Sequence, residues 1–158
     1  MDTINKVIVD GLEQELTYKP KRGIILARRV DNLLYISGHG PEDPIHNKPI
    51  YAGRVGEEYT LEEGVAAARE CGVIILGALQ DILGDLGKVK RMIKATALVN
   101  CGEGFHDVDA VMDGFSDVIM MALDERGYHT RTVMGTRNLP NNNITVEVEV
   151  IVEVEGDS

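Results

Sequence analysis

Arg131 stands two residues after His129, between Thr130 and Thr132. A guanidinium binds a carboxylate through two parallel charge-assisted hydrogen bonds, so one such group can govern a pocket for a small acid. Its plainer role is that of a sheet arginine paired across strands with glutamates, and Arg137 and Glu149 are open to similar pairing. The acids concentrate in residues 144–155. There Ile144, Val146, Val148, Val150, Val152 and Val154 fall on one strand face, and Thr145, Glu147, Glu149, Ile151, Glu153 and Glu155 on the other. A carboxylate such as Glu147 can orient a water, deprotonate it and return the proton to a leaving group. It can equally be one of four glutamates on a wet strand face.

The remaining reactive side chains are scattered. Ser37 is a hydroxyl with no His–acid arrangement evident from spacing, which reads better as a serine close to a turn than as a nucleophile. His39 and His129 are a donor or base each, and neither has metal-type partner spacing such as H-x-x-x-H. Cys71 lies on an apolar helix stripe and is expected in the core. Cys101 follows a strand, with no neighbouring cation to lower its pKa. The two cysteines form neither C-x-x-C nor a metal spacing. No metal site is expected. Asp113 reads as a helix-surface acid.

Composition narrows the classes of partner. The 158 residues carry 26 Asp and Glu against 16 Lys and Arg, a net charge of −10. Nucleic acid and anionic membrane are therefore disfavoured partners, because phosphate contacts need clustered cations. An aromatic content of 4 %, without Trp, leaves little for base stacking. Isolated cysteines and an amino terminus without a cationic–apolar leader point to reduced thiols and a cytoplasmic location. The longest apolar run, Cys71 to Leu79, is too short to cross a bilayer.

The elements that must position these groups read as a single domain over 1–158 with its core at about 22–155. Residues 1–22 are ambiguous: Val7, Ile8, Leu12 and Leu16 sit near helical spacing, interrupted by Gly11. Strands are expected at Gly23–Val30 and Leu33–Gly38, joined as a hairpin through Asp31-Asn32. A loop punctuated by Pro41, Pro44 and Pro49 follows, with room for a short strand near Tyr51. Thr60 and Glu63 form a capping box for a helix whose stripe runs through Val65, Ala68, Cys71, Ile75 and Leu79. A strand spans Val89–Asn100. A second helix covers about Phe105–Arg126 and stops at Gly127. A strand Thr130–Leu139, the turn Pro140-Asn141-Asn142-Asn143 and the alternating strand Ile144–Glu155 complete the chain. Two helices then cover one face of an α+β sheet.

Four separated motifs resemble the RidA/YjgF family in order and spacing. They are Asn32-Leu33-Leu34-Tyr35-Ile36-Ser37-Gly38, the helix block Tyr59 to Arg69, and His129-Thr130-Arg131-Thr132-Val133 with Arg137-Asn138-Leu139-Pro140. The fourth is the closing Val146 to Val152. The similarity covers roughly residues 22–155 and is closer to a longer branch of the family than to its short members. It implies a chorismate-mutase-like (YjgF-like) mixed sheet with two helices on one face, assembled as a homotrimer with ligand clefts between subunits. It implies hydrolysis of reactive 2-imino and 2-enamino acids to 2-keto acids and ammonia, without a cofactor. Some relatives are described as ribonucleases.

Carried over by motif, the family's essential arginine falls on Arg131, which would bind the substrate carboxylate, and its strand glutamate falls on Glu147, which would orient water. Ser37-Gly38 matches the family's Ser-Gly pair, with His39 where Gln is common. The helix asparagine of the cleft falls on Asp113, and the cysteine two positions after the arginine becomes Val133. The tyrosine before the first hairpin becomes Ile24. The partner implied is a small carboxylate-bearing metabolite. Two alternatives stand beside the deaminase: a non-catalytic trimer that binds a small carboxylate in the same clefts, and a ribonuclease or translation inhibitor, which the net charge disfavours.

Overall fold

The structure is a computed structural model and describes residues 6–9, 12–15 and 21–156. The strands are β1 Lys6–Val9, β2 Leu12–Glu15, β3 Ala27–Val30, β4 Leu33–His39, β5 Val89–Asn100, β6 Thr130–Thr136 and β7 Val146–Val154. The long helices are α1 Leu61–Leu83 and α2 Val108–Leu123. β3 to β7 form one mixed sheet in the order β3-β4-β7-β5-β6, antiparallel throughout except for the parallel pair β5–β6. The parallel edge strand follows from the crossover through α2, which returns the chain to the end of the sheet where β5 began.

β7 is the middle strand, and its alternation divides the sheet into two unlike faces. Val146, Val148, Val150, Val152 and Val154 are all buried, and so are Ala95, Ala97 and Val99 beside them on β5. α1 and α2 lie over this face. From α1, Ala68, Cys71, Ile75 and Leu79 pack into the core; α2 contributes Val111, Met112, Phe115 and Ile119. Both stripes keep the three- and four-residue spacing of one helix face. The other sheet face carries Glu147, Glu149 and Ile151 of β7, with Tyr35 and Ser37 of β4, and has no described layer over it. A concavity of about 390 Å³ opens there among Ile25, Arg28, Tyr35, Lys94 and Glu149. No described helix is long and apolar enough to cross a membrane.

Local signals explain the boundaries. The Thr60 side chain accepts from the Glu63 amide at 3.2 Å, and Glu63 accepts from the Thr60 amide at 2.8 Å, so both halves of the capping box are made. Gly84 ends α1 in the left-handed conformation, φ 76°. The β3–β4 hairpin turns through Asp31-Asn32 with Val30 opposite Leu33. In the turn before β7, Asn141, Asn142 and Asn143 are all left-handed, a conformation that asparagine tolerates better than most residues. Buried Asn100 ties this turn to β5 by donating to the carbonyls of Asn143 and Ile144.

Several boundaries depart from expectation. Of residues 1–22, β1 and β2 pair antiparallel with Lys6 opposite Glu15, so Val7, Ile8 and Leu12 lie on strands and not on a helix, and Lys21–Gly23 is a 3-10 turn; Gly11 and Leu16 lie outside the described residues. The first sheet strand is shorter than Gly23–Val30 and begins at Ala27, with Ile24 and Leu26 exposed before it. Tyr51 joins no strand; isolated bridges form on either side of it, Glu42 to Pro49 and Ala52 to Ile144. α2 is confined to 108–123, and its expected last turn tightens into a 3-10 turn at Asp124–Gly127. β6 stops at Thr136.

The two helices approach closely through glycine. A Cβ on Gly114 of α2 would stand 2.5 Å from the Val65 carbonyl oxygen of α1, and one on Gly72 would crowd Val118 at 3.1 Å. A carbonyl in a helix backbone cannot step aside as a side chain can, so relief requires moving α1 and α2 apart. Gly114→Ala is therefore expected to destabilise the fold by about 2–3 kcal/mol despite its better helix propensity. Thermal unfolding should show a fall in Tm of roughly 5–10 °C; an unchanged Tm would show that the helices separate freely.

Candidate functional site

Arg131 lies on the edge strand β6, opposite Ala95 of β5, which is in turn opposite Val150 of β7. Ala95 and Val150 are buried under the helices, so this row, Arg131 included, faces the helix layer. Two residues on, Val133 faces the same way and packs against the core. The guanidinium emerges where β6 meets α2. Asp109, Asp113 and Ser116 recur there at intervals of four and three, one stripe of the helix. Arg131 Nη1 donates to Ser116 Oγ at 3.0 Å, and Nη2 donates to Asp113 Oδ1 at 3.0 Å and to the Asp109 carbonyl at 3.4 Å. The Asp109 carboxylate is 3.6 Å away.

Exposure decides what these contacts contribute. The Arg131 side chain is 19 % exposed, whereas Asp113 is 64 % and Asp109 82 % exposed. Ion pairs to carboxylates this wet contribute roughly 0–1 kcal/mol. Their geometric effect is larger. A guanidinium offers a carboxylate two parallel-bond forks, Nε/Nη2 and Nη1/Nη2, and Nη2 belongs to both. With Nη2 engaged by α2, an incoming carboxylate must displace Asp113 or share its nitrogen.

Ser116 was not among the residues that sequence reasoning singled out. It links Arg131 to His129: Ser116 Oγ is 3.1 Å from His129 Nε2, and His129 Nδ1 is 2.7 Å from the Gly127 carbonyl. The direction of the chain follows from what each group can do. The Gly127 carbonyl can only accept, so Nδ1 carries a hydrogen and donates to it. A guanidinium only donates, so Ser116 Oγ accepts from Arg131. When the imidazole is neutral, Nε2 is left to accept the Ser116 proton. The Phe115 ring stands edge-on to the imidazole, with 6.1 Å between centroids. The sequence signal for Ser116 was its place on the polar stripe of Asp109 and Asp113, beside the apolar stripe of α2.

Ser37, Gly38, His39 and Glu147 gather where β4 pairs with β7, at a register shift between Ile36 and His39. Ser37 donates its hydroxyl to the Ile25 carbonyl at 2.7 Å, which commits the proton to backbone. His39 Nδ1 contacts the Ser37 carbonyl at 2.7 Å. Gly38 has no side chain where the Glu147 carboxylate lies; a Cβ there would collide with Oε1. Partial burial raises the Glu147 pKa, and the nearby carboxylates of Glu42 and then Glu149 raise it further. Its carboxyl therefore holds a proton more readily than an ordinary glutamate. Cys71 is wholly buried and donates Sγ–H to the His39 carbonyl at 3.1 Å; burial raises its pKa far above the usual thiol range. Cys101 is buried as well.

The candidate residues thus form two groups. Arg131, Asp113 and Val133 belong to the helix side, and Glu147 shares the open side with Glu149. Within one chain, Arg131 and Glu147 sit on opposite faces of the sheet.

Comparison with known proteins bears on this architecture. Residues 27–154 match the family model described as "YjgF/chorismate mutase-like, putative endoribonuclease". Protein TCP17 of Trypanosoma cruzi is 35% identical over 122 residues, covering 77% of this chain and 74% of that protein. The crystal structure of Atu1372 from Agrobacterium tumefaciens, a protein of unknown function, superposes with a TM-score of 0.79 at 33% identity and 89% coverage of both chains. RidA from the Antarctic bacterium Psychrobacter shares the fold, with a TM-score of 0.54 at 22% identity over 82% of this chain and 86% of that one. Strand order, the helices on one face and the match along almost the whole described sheet lead to one assignment: this chain belongs to the YjgF/RidA-like family and has its chorismate-mutase-like fold.

Proposed function

We propose that this protein hydrolyses small 2-imino and 2-enamino acids to 2-keto acids and ammonia, with Arg131 as the anchor for the substrate carboxylate. The observation that carries this reading is the Arg131 guanidinium, held at 3.0 Å by Ser116 at the sheet edge and covered otherwise by exposed carboxylates. Ser116 fixes its orientation in advance, which lowers the entropic cost of gripping a ligand. Asp113 is a weak internal competitor, because a solvated carboxylate gains little from the pair. A substrate carboxylate that makes both parallel bonds displaces it.

The C=N carbon next to that carboxylate then needs water delivered at close range. Glu147 is the group proposed for this task. Its raised pKa suits a carboxylate that takes a proton from water and returns it to nitrogen. Because Glu147 lies on the opposite face of its own sheet, it must come from a neighbouring copy. The proposal therefore includes the homotrimer, with clefts that combine Arg131 of one subunit and Ser37, Gly38, His39 and Glu147 of the next. The open sheet face supports such an assembly: Tyr35 and Met134 are exposed large side chains on it. No cofactor is proposed, since the intrinsic reaction is easy and positioning with modest acid–base help suffices. A net charge of −10 argues against RNA as the substrate.

Light scattering is expected to give about three times the 17.3 kDa chain mass; a monomer would remove Glu147 from the reaction. Imines made from a panel of amino acids by an amino-acid oxidase should be consumed faster in the presence of the protein, as followed by semicarbazide trapping. Arg131→Ala should reduce this consumption at least ~100-fold, the scale of losing a charge-assisted bidentate anchor. Asp113→Asn should tighten calorimetric binding of 2-oxobutanoate by about 3–5-fold, the equivalent of relieving up to ~1 kcal/mol of competition. Binding of 2-oxobutanoate without imine turnover would identify a carboxylate-binding protein in place of an enzyme.

A further inference from the structure

We infer that Ser116 and His129 form a proton relay at the Arg131 anchor, with Ser116 as the hydroxyl that meets the reacting centre and His129 as the base that positions and drains it. The inference rests on the imine-hydrolase reading of Arg131. It addresses a step that reading leaves without a group. A ketone oxygen derived from water must lose both protons of that water. Glu147 takes the first and returns it to nitrogen, and the relay gives the second an acceptor on the subunit that holds Arg131.

The geometry supplies a path for the second. Ser116 Oγ contacts Arg131 Nη1 at 3.0 Å, so a ligand gripping the guanidinium brings the carbon beside its carboxylate close to the serine. The serine proton already points at His129 Nε2, 3.1 Å away, and the imidazole is held from behind by the Gly127 carbonyl at 2.7 Å. A hydroxyl on a base, with the base oriented by a third group, is the arrangement of an activated serine. All three groups belong to one chain and one face of the sheet. The charged groups facing the relay are Arg131 from β6 and Asp109 and Asp113 from α2, with the 3-10 turn contributing the Gly127 carbonyl.

The step balances as follows. Water adds to the carbon of the protonated imine while one of its protons passes to Glu147. Return of that proton to nitrogen gives a carbinolamine with C–OH and C–NH3+. The C–N bond breaks and its electron pair leaves with nitrogen as ammonia. The O–H electron pair becomes the second bond of the ketone. The hydroxyl proton moves to Ser116 Oγ as the serine's own proton moves to His129 Nε2. The imidazolium then passes its Nε2 proton to solvent, where ammonia takes it up.

The test compares wild type, Arg131→Ala, Ser116→Ala, His129→Ala and His129→Gln in the full chain, using the imine formed from L-leucine by an amino-acid oxidase. His129→Gln is the informative variant. Its amide oxygen can still accept from Ser116, so it preserves a structural role, yet it cannot take up a proton. The expected result is a fall in kcat of about 100-fold in Ser116→Ala and in both His129 variants, with KM within ~3-fold in the His129 variants and raised in Ser116→Ala, which also loses the bond that orients Arg131. Retained binding of 2-oxobutanoate would show that the variants are folded, and the glutamine variant decides if the alanine variants unfold. A wild-type kcat in His129→Gln would overturn the relay, while an inactive Arg131→Ala beside an active wild type would leave the anchor standing. Absence of turnover in wild type would overturn both.

Discussion

A valine at every second position of β7 divides this protein into a dry side and a wet side. Because β7 is the middle strand, its dry face is where both helices must pack, and its neighbours inherit the same division through register. Shifting that register by one residue would bury Glu147, Glu149 and Glu153 beneath α1 and α2 and strip the core of its valines. Placing even one unpaired carboxylate there costs several kcal/mol, a large share of the stability of a domain. The location of every polar group on the sheet follows from this constraint.

The helix side illustrates how a charged group is accommodated next to such a core. Arg131 occupies the last row before solvent, where the edge strand runs out from under α2. Its stem shares a face with core residues while its head reaches the polar stripe of the helix, the usual compromise for a long cationic side chain. Each nitrogen that contacts α2 finds an acceptor already used for something else: a serine bonded to histidine, an aspartate bathed in water, a backbone carbonyl. The guanidinium is consequently well oriented and weakly paid for, a combination suited to a group that must exchange partners. The other side of the sheet uses the opposite device. There a missing Cβ at Gly38 admits a carboxylate, and partial burial, reinforced by like charges nearby, makes that carboxylate reluctant to ionise.

Periodicity and capping made much of the fold legible. The alternation of residues 146–154, the Thr60–Glu63 box and the Asp31-Asn32 turn each rest on interactions among near neighbours in the chain, so their residue types carry the information. The family resemblance located Arg131 and Glu147 as well. What the residues did not reveal is that the two side chains diverge. That depends on the row Arg131–Ala95–Val150, and pairing across three strands is set by the whole sheet. Ser116 was hidden for a related reason. Its meaning depends on α2 crossing beside His129, thirteen residues later and beyond a turn. The amino terminus is ambiguous in sequence because four-residue strands such as β1 and β2 are too short to separate from a helical turn by spacing.

Gly114 sits between Asp113 and Ser116, and its bare backbone is what lets α2 settle against Val65. The residue that sets the distance between the helices is thus flanked by two of the groups that hold Arg131. Any bulk introduced along that seam would tilt α2 and carry the serine and the aspartate with it, changing the reach of the guanidinium without touching it. Under the anchoring role proposed for Arg131, substitutions deep in the α1–α2 seam would therefore also act on ligand preference.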